Sequence, residues 1–311
     1  MAFVPRIGLG VYQLRGEDCF RACVAALEAR YRHIDTAQLY GNEAEVGRVT
    51  KKYLLQQQQS QTNETAPAKR GHILDETTKM GRTDGGAEKT YRSAPRSVWR
   101  VAGDDGDRDR DGYYVDLLLV HRPVEKLREL WAALERLRSE GKVKAVGVSN
   151  FGIEALEEMR AYAGFIDRWT QLHPWCQQRR LVDYCRAHSI VVQADSPLAR
   201  GERMANPTGG AGYHYHHHPR RPAANRAARR RRRSRRQKSK GREGTATVTA
   251  AQVLVRWSLQ KGFVPLPKSD GAARIRDNVD VWWFELDGEE MAMLDGLDRG
   301  AEGALFPANV G

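Results

Sequence analysis

Short apolar runs alternate with amphipathic helical patterns along most of this 311-residue chain, and each run is short enough to be one strand. The runs and the helical patterns that follow them are Ile7–Gly10 before Glu17–Ala29, Arg32–Asp35 before Glu43–Tyr53, Val115–His121 before Lys126–Ser139, and Val143–Ser149 before Ile153–Tyr162, with further strands at Ile190–Ser196 and Phe263–Pro265. Strand and helix in alternation predict a parallel sheet that is covered by helices. The runs Asp116–Val120 and Lys144–Ser149 are nearly continuously apolar, as is typical of strands that are buried on both faces.

Two α/β architectures fit this alternation, an open dinucleotide-binding sheet and a closed (β/α)8 barrel. The open sheet requires Gly-x-Gly-x-x-Gly after the first strand. Gly8-Leu9-Gly10 supplies two of these glycines, but Val11, Tyr12 and Gln13 follow instead of the third. The sequence therefore favours the barrel, as a single unit over residues 1–311.

The net charge of +12 is typical of a nucleic-acid-binding protein, but it is confined to one segment. Residues Arg220–Arg242 contain 13 Arg or Lys and no acidic residue, so the rest of the chain is close to neutral. Four cysteines are too few for a disulfide framework in a chain of this length. Cys19 and Cys23 are one helical turn apart and are expected to lie on a buried helix face, and we predict no metal site.

Several predicted strands end in a polar or ionisable residue. These residues are Asp35, Lys79, His121, Ser149 with Asn150, and Ser196. Each one alone is explained by a helix cap or a local hydrogen bond. In a β/α barrel, however, the carboxyl ends of the strands converge on one mouth, where catalytic groups lie, so the set together predicts a functional site.

A series of longer motifs resembles the aldo-keto reductase family, in the family's order. The motifs are Tyr31–Gly47, Thr78-Lys79, Asp116–His121, Gly141–Phe151, Leu172–Cys176, Ala250–Trp257 and Leu266–Ser269, followed by Arg274, Ile275 and Asn278. Together they extend over roughly four-fifths of the chain, which is more specific than any short motif. The resemblance implies a (β/α)8 TIM barrel that reduces the carbonyl group of an aldehyde or ketone with NADPH.

The resemblance also implies a catalytic role for four side chains. Tyr40 matches the family's general acid, and a free phenol has a pKa of about 10, which makes it a reluctant donor near neutral pH. Lys79 matches the ammonium that lowers this pKa, Asp35 the carboxylate that holds the lysine, and His121 the donor that orients the carbonyl oxygen. The alternative for Tyr40 is a tyrosine that only packs on a loop.

Further positions match the family's cofactor site. Ser149 and Asn150 match the residues that hold the nicotinamide carboxamide, and Ser196 and Leu198 match cofactor contacts after the seventh strand. Lys268, Ser269 and Arg274 match the residues that bind the 2′-phosphate of NADPH, and Asn278 matches an adenine contact. Two cations and a hydroxyl at one phosphate favour NADPH over NADH. For Arg274 alone, a solvated surface charge is the alternative.

Three departures from the family pattern bear on activity. Asp195 stands where the family commonly has an aromatic ring that stacks on the nicotinamide. Arg168–Gln171 replaces an Asn-Gln pair that contacts the cofactor, so Gln171 serves there only if the strand register shifts. The segment His214–Arg242 stands where the family has a cofactor-covering loop. Tyr12 and Arg122 follow strands one and four, and we expect them to line the substrate pocket, with Arg122 favouring an acidic or polar substrate.

Polar and low-complexity segments interrupt the barrel pattern. We expect a polar loop at residues 56–70, a second loop at Asp104–Asp111, and disorder in the His/Arg-rich insertion at residues 209–244. For the arginine tract we favour a translated intron or frameshift over a nucleic-acid-binding tail, and we expect no nucleic-acid partner.

The overall expectation is a cytoplasmic protein without a membrane segment, a monomer or weak dimer whose partner is a small aldehyde or ketone. Two functions of other classes stay open. One is a catalytically impaired barrel that binds NADP(H) as a sensor or regulatory subunit, and the other is a nucleic-acid-associated protein that acts through the arginine tract.

Overall fold

Eight parallel strands form one sheet in chain order, each hydrogen-bonded to the next. The computed structural model describes residues 5–60, 75–80, 87–101, 114–163, 167–201 and 248–306. The strands are β1 Leu9–Gly10, β2 His33–Asp35, β3 Asp75–Met80, β4 Val115–Val120, β5 Val143–Ser149, β6 Asp167–Gln171, β7 Val192–Asp195 and β8 Val264–Pro265. Two backbone hydrogen bonds then connect the first strand to the last, from Gly8 N–H to Pro265 O (3.0 Å) and from Gly10 N–H to Pro267 O (3.2 Å). The predicted TIM barrel is confirmed.

Helices follow the strands along the chain. They are α1 Gly16–Glu28, α2 Glu43–Ser60, α3 Ala87–Val101, α4 Leu127–Ser139, α5 Ile153–Arg160, α6 Arg179–Ala187, α7 Ala250–Gln260, α8 Ala272–Val279 and α9 Gly288–Asp295. The segment Gln38–Tyr40 and the segment Ala199–Gly201 are short 3-10 helices after β2 and β7. Within the described residues, no helix is both long and apolar enough to cross a membrane.

Alternate side chains of β4 separate the two parts of the core. Leu117 and Leu119 are buried in a small cluster with Ala145 and Leu266, whereas Leu118 and Val120 belong to the large cluster between the strands and the helices. Because side chains alternate across a strand, the small cluster fills the barrel interior. This two-sided burial explains why β4 is apolar from Leu117 to Val120.

Close backbone packing requires the glycines at the start of the chain. A Cβ atom at Gly8 would lie 2.6 Å from His33 Nδ1, and one at Gly10 would lie 3.1 Å from Leu266 O. These glycines allow β1 to pack against β2 and β8, so Gly8-Leu9-Gly10 belongs to a barrel rather than to a nucleotide-binding loop.

One predicted boundary is wrong, and several predictions fall outside the described residues. Helix α2 continues through Gln56 to Ser60, where the polar composition predicts a loop, because glutamine is a good helix former even without an apolar face. The remainder of the predicted loop at 56–70, the loop at 104–111, and the insertion at 209–244 lie outside the described residues. Cys19 and Cys23 are buried in α1, as predicted.

Candidate active site

The carboxyl ends of the strands open into a cavity of about 1060 Å³. The predicted site residues that line it are Tyr12, Asp35, Tyr40, His121, Arg122, Asn150, Ser196, Leu198, Lys268, Ser269, Arg274 and Asn278. Lys79 and Ser149 lie directly behind the wall, where each contacts a lining residue. The structure therefore brings these side chains together from strands and loops that are far apart in the chain.

A buried ion pair lies behind the cavity wall. Lys79 on β3 is fully buried, and its Nζ donates hydrogen bonds to both carboxylate oxygens of Asp35 on β2, each at 2.7 Å. The same Nζ donates to Thr36 O at 2.8 Å. In the β2–β3 register Asp35 pairs with Thr77, two residues before Lys79, so the side chain of Lys79 lies on the same face of β3 as that of Thr77, one step nearer the carboxyl end. Burial raises the pKa of Asp35 and lowers that of Lys79, and the attraction between the two groups opposes both shifts.

Tyr40 lies between this ion pair and the open cavity. Its ring centroid is 5.1 Å from Lys79 Nζ, 5.9 Å from the His121 ring in an edge-on arrangement, and 5.0 Å from the Tyr12 ring. The 3-10 turn Gln38–Tyr40, which ends at Gly41 with φ of 66°, aims the residue back towards the barrel mouth. Tyr40 is 8% exposed, so its ring is held by packing while it still lines the cavity.

The direction of the Tyr40 pKa shift differs from the prediction. Burial raises the pKa of Tyr40 well above its usual value, and the negative charges of Asp35 and Asp195 and the neighbouring Tyr12 raise it further. The expected net lowering of the Tyr40 pKa is therefore wrong for the protein alone, because burial disfavours the phenolate. The phenol is protonated at neutral pH, which is the state that a proton donor needs.

His121 at the end of β4 is neutral at physiological pH. Burial, together with the positive charges of Lys79 and Arg122, lowers the pKa of His121 to about 3. Its backbone N–H donates to Met80 O at 2.8 Å, which fixes the strand end next to β3. A neutral imidazole in this position can donate or accept a single hydrogen bond in the cavity.

Asn150 presents an unsatisfied acceptor to the cavity. It adopts a left-handed backbone conformation with φ of 61°, and its Nδ2 donates to His121 O at 2.9 Å and to Ser149 Oγ at 2.8 Å. Its buried Oδ1 has no hydrogen-bond partner among the described residues. Because a buried acceptor without a donor is costly, this atom indicates a position for a donor from a bound molecule.

A second group of polar residues lies at the other end of the cavity, after β8. Arg274 Nε donates to Ser269 Oγ at 3.0 Å, and Arg274 also pairs with Asp270. Ser269 and Asn278 are buried, whereas Arg274 is exposed. Lys268 lines the same end, so two cations and a hydroxyl face one part of the cavity.

Arg200 is a residue of the cavity wall that the sequence analysis did not predict. Arg200 adopts a left-handed conformation with φ of 53°, and its guanidinium carbon lies 4.4 Å from the Phe306 ring centroid and 5.8 Å from that of Tyr12. Arg200 and Phe306 are separated by 106 positions, so no local pattern indicates their contact. The Arg122 side chain is exposed at the cavity rim.

Two of the three departures from the family pattern lie on neighbouring strands, and the third, His214–Arg242, lies outside the described residues. Asp195 ends β7 and lines the cavity, and in the β6–β7 register it pairs with Gln171. The role predicted for the Gln171 side chain stays a prediction.

Comparisons with known proteins agree with this arrangement. A model of the Aldo/keto reductase family matches residues 6–299. An uncharacterized oxidoreductase of Schizosaccharomyces pombe is 34% identical over 299 residues, which are 95% of this chain and 90% of the relative.

Solved structures are similar over nearly the whole chain. MGS-M4, an aldo-keto reductase from a Medee basin deep-sea metagenome library, is 30% identical with a TM-score of 0.74, over 96% of this chain and 93% of that one. A mutant of Gox0644 in complex with NADPH is 27% identical with a TM-score of 0.75, over 99% of this chain and 94% of that one.

Proposed function

Since this chain belongs to the aldo-keto reductase family of oxidoreductases, we propose that it reduces the carbonyl group of an aldehyde or ketone with NADPH. The observation that carries the proposal is the convergence of Tyr40, His121 and the Asp35–Lys79 pair on one cavity. The reaction is reversible in principle, so the same residues serve oxidation of the alcohol.

The residues at the β8 end of the cavity fit the 2′-phosphate of NADPH. Lys268 and Arg274 supply positive charge, and Ser269 supplies a hydroxyl that already bonds to Arg274. A ribose hydroxyl would give these cations no anion to pair with, whereas a phosphate pairs with both. The similar Gox0644 mutant, which was solved with NADPH, supports the assignment. Asn278 is assigned to the adenine, and Ser196 and Leu198 to the intervening part of the cofactor.

At the other end, Ser149 and Asn150 fit the nicotinamide carboxamide. The unsatisfied Asn150 Oδ1 would accept a hydrogen bond from the carboxamide N–H of a bound nicotinamide, which would offset the desolvation cost of this oxygen. When bound there, NADPH supplies the hydride that reduces the carbonyl carbon.

Tyr40 donates the proton that the reduced carbonyl oxygen requires. Negative charge develops on this oxygen as the carbonyl carbon is reduced, and the protonated phenol neutralises it. His121, neutral and edge-on to Tyr40, donates a hydrogen bond that orients the same oxygen. The Lys79 ammonium stabilises the tyrosinate that proton transfer leaves, and Asp35 keeps this ammonium in place.

The experiment that tests the proposal measures NADPH oxidation with 4-nitrobenzaldehyde for the wild type and Tyr40→Phe. We expect the phenylalanine variant to lose a factor of about 10² to 10⁴ in kcat, because it lacks the proton donor. Tyr91→Phe is the matched control, since the Tyr91 hydroxyl bonds to Glu140 on the protein surface and does not reach the cavity.

Equal rates for the wild type and Tyr40→Phe would contradict the proposed role of Tyr40. Tight NADPH binding without turnover in the wild type would instead identify a barrel that senses the nucleotide.

A further inference from the structure

Asp195 is a buried carboxyl group in the active-site cavity that the proposed mechanism does not use. It is 8% exposed, ends β7, and lines the same cavity as Tyr40, His121 and Asn150. Its Oδ1 has no hydrogen-bond partner, and no ion pair joins it to a cation, among the described residues. A buried acceptor in this state is costly unless a bound molecule interacts with it.

The cations near Asp195, Lys79 and Arg200, interact with other residues instead of forming an ion pair with Asp195. Lys79, on β3, donates to Asp35, on β2, and to Thr36. The Arg200 guanidinium stacks on Phe306. Burial raises the pKa of Asp195 to about 7, Asp35 raises it, and Lys79, Arg200 and a hydrogen bond with Ser196 lower it.

The nicotinamide ring has to lie close to this carboxyl group. Reduction requires the ring to face a carbonyl carbon whose oxygen is held by Tyr40 and His121, and the ring's carboxamide fits at Asn150. Asp195 faces the same space, and its charge raises the pKa of Tyr40. The oxidised ring carries one positive charge, whereas the reduced ring is neutral, so a carboxylate attracts only the oxidised form.

We propose that ionised Asp195 makes this site discriminate between the two redox states of its cofactor, strengthening the binding of NADP+ relative to NADPH. This inference rests on the proposed function. The discrimination increases with pH because the protonated carboxyl group is neutral and does not attract the oxidised ring. Asp195 is therefore a specificity-determining residue for the redox state of the cofactor.

The ratio of two dissociation constants isolates the effect of Asp195. NADP+ and NADPH have the same phosphates and adenine, so the titration of these groups and of the residues that bind them cancels in the ratio. Tyr40 and His121 are uncharged near neutral pH, and the hydrogen-bonded Asp35–Lys79 pair keeps a net charge of zero. Among the described residues, Asp195 is the titratable group of this part of the cavity whose charge changes in this range.

The test is isothermal titration calorimetry of both nucleotides with the whole protein, from about pH 6 to about pH 8.5. We expect the ratio Kd(NADP+)/Kd(NADPH) to fall by a factor on the order of ten across this range in the wild type. In Asp195→Asn and Asp195→Ser, the ratio stays flat and close to the wild-type value at acidic pH. Asp277→Asn is the matched control, because Asp277 is an exposed carboxylate of the same cavity, and it keeps the wild-type slope.

A flat ratio in the wild type, or the same slope in the Asp195 variants as in the wild type, overturns the inference. The wild-type measurement decides the matter even if neither variant folds. If both nucleotides bind with a ratio that does not change with pH, the role of Asp195 fails and the proposed function stands. If neither nucleotide binds, both fail.

Discussion

At the scale of single residues, the Asp35–Lys79 pair supports the mouth of the barrel as well as the proposed chemistry. Two charges are buried almost completely, and each depends on the other to offset the loss of hydration. Removing one partner leaves the other charge buried without a counter-charge, which is more costly than removing both.

We predict that Asp35→Asn lowers the free energy of unfolding by about 3–5 kcal/mol, because it leaves the buried Lys79 ammonium without a counter-charge. The double variant Asp35→Asn/Lys79→Met is expected to regain part of this loss. Asp18→Asn serves as control, since the Asp18–Arg21 pair is exposed and contributes little. Urea denaturation measures all four proteins, and a double variant less stable than Asp35→Asn would contradict the argument.

A second residue-scale prediction concerns His33, which is fully buried below the site and bonds to Thr77 Oγ1 through Nε2 at 3.0 Å. Burial and the charge of Lys79 lower the pKa of His33 to about 3. In the unfolded chain His33 binds a proton near pH ~6.5, whereas in the folded protein it stays neutral. The contribution of the neutral His33 to the free energy of unfolding is therefore complete above pH ~6.5 and is lost as the pH falls.

Replacing His33 by Gln removes this dependence. We expect the change in unfolding free energy between about pH 7.5 and about pH 5 to differ by about 2 kcal/mol between the wild type and His33→Gln, with the wild type losing more at acid pH. Asp195, whose raised pKa changes the stability in the opposite direction, is present in both the wild type and His33→Gln, so its contribution cancels in the comparison. Identical pH profiles for the two proteins would show that His33 is not held neutral.

At the scale of elements, helix α7 begins with a complete capping box. Thr249 Oγ1 accepts from Gln252 N–H at 3.1 Å, and Gln252 Oε1 accepts from Thr249 N–H at 2.9 Å. Most residues of this helix are buried, including Val253, Leu254 and Trp257. The cap satisfies two backbone donors that would otherwise lack partners where the helix starts.

We predict that Thr249→Ala lowers the free energy of unfolding by about 1 kcal/mol, whereas Thr249→Ser, which keeps the hydroxyl, stays within a few tenths of the wild type. Thermal and urea denaturation of the three proteins provide the measurement. An alanine variant as stable as the serine variant would mean that the cap does not hold this end of the helix.

The periodicity of the sequence predicted most of the strands, but it did not predict helix ends that depend on tertiary contacts. The start of α4 was predicted within one residue, because its apolar side chains recur on one face. The end of α2 was misjudged, since a polar helix and a polar loop have similar compositions. The convergence of Asp35, Lys79 and His121 followed from their positions at strand ends, which a parallel barrel brings together.

Burial and long-range contacts explain what the sequence did not reveal. The sign of the Tyr40 pKa shift depends on how deeply the ring is buried, and a motif does not contain this information. The stacking of Arg200 on Phe306 joins two segments that are 106 positions apart in the chain. The unsatisfied oxygen of Asp195 likewise becomes evident only when its neighbours are placed around it.

At the scale of the whole molecule, one closed sheet brings the residues of the proposed mechanism to the same mouth of the barrel. The first and last strands are joined through Gly8 and Gly10, so residues after β8 reach the same cavity as residues after β1 and β2. The residues that we assign to the 2′-phosphate and the proposed proton donor Tyr40 thus come from distant parts of the sequence.

The most direct test of the central claim follows the hydride itself. The protein is incubated with 4-nitrobenzaldehyde and with NADPH that carries deuterium at both positions of the reactive nicotinamide carbon, and the alcohol is analysed by NMR. We predict one deuterium at the former carbonyl carbon for the wild type, formed at a rate that Tyr40→Phe lowers at least about a hundredfold. Alcohol without deuterium, or none above the level of a sample without protein, would contradict the account.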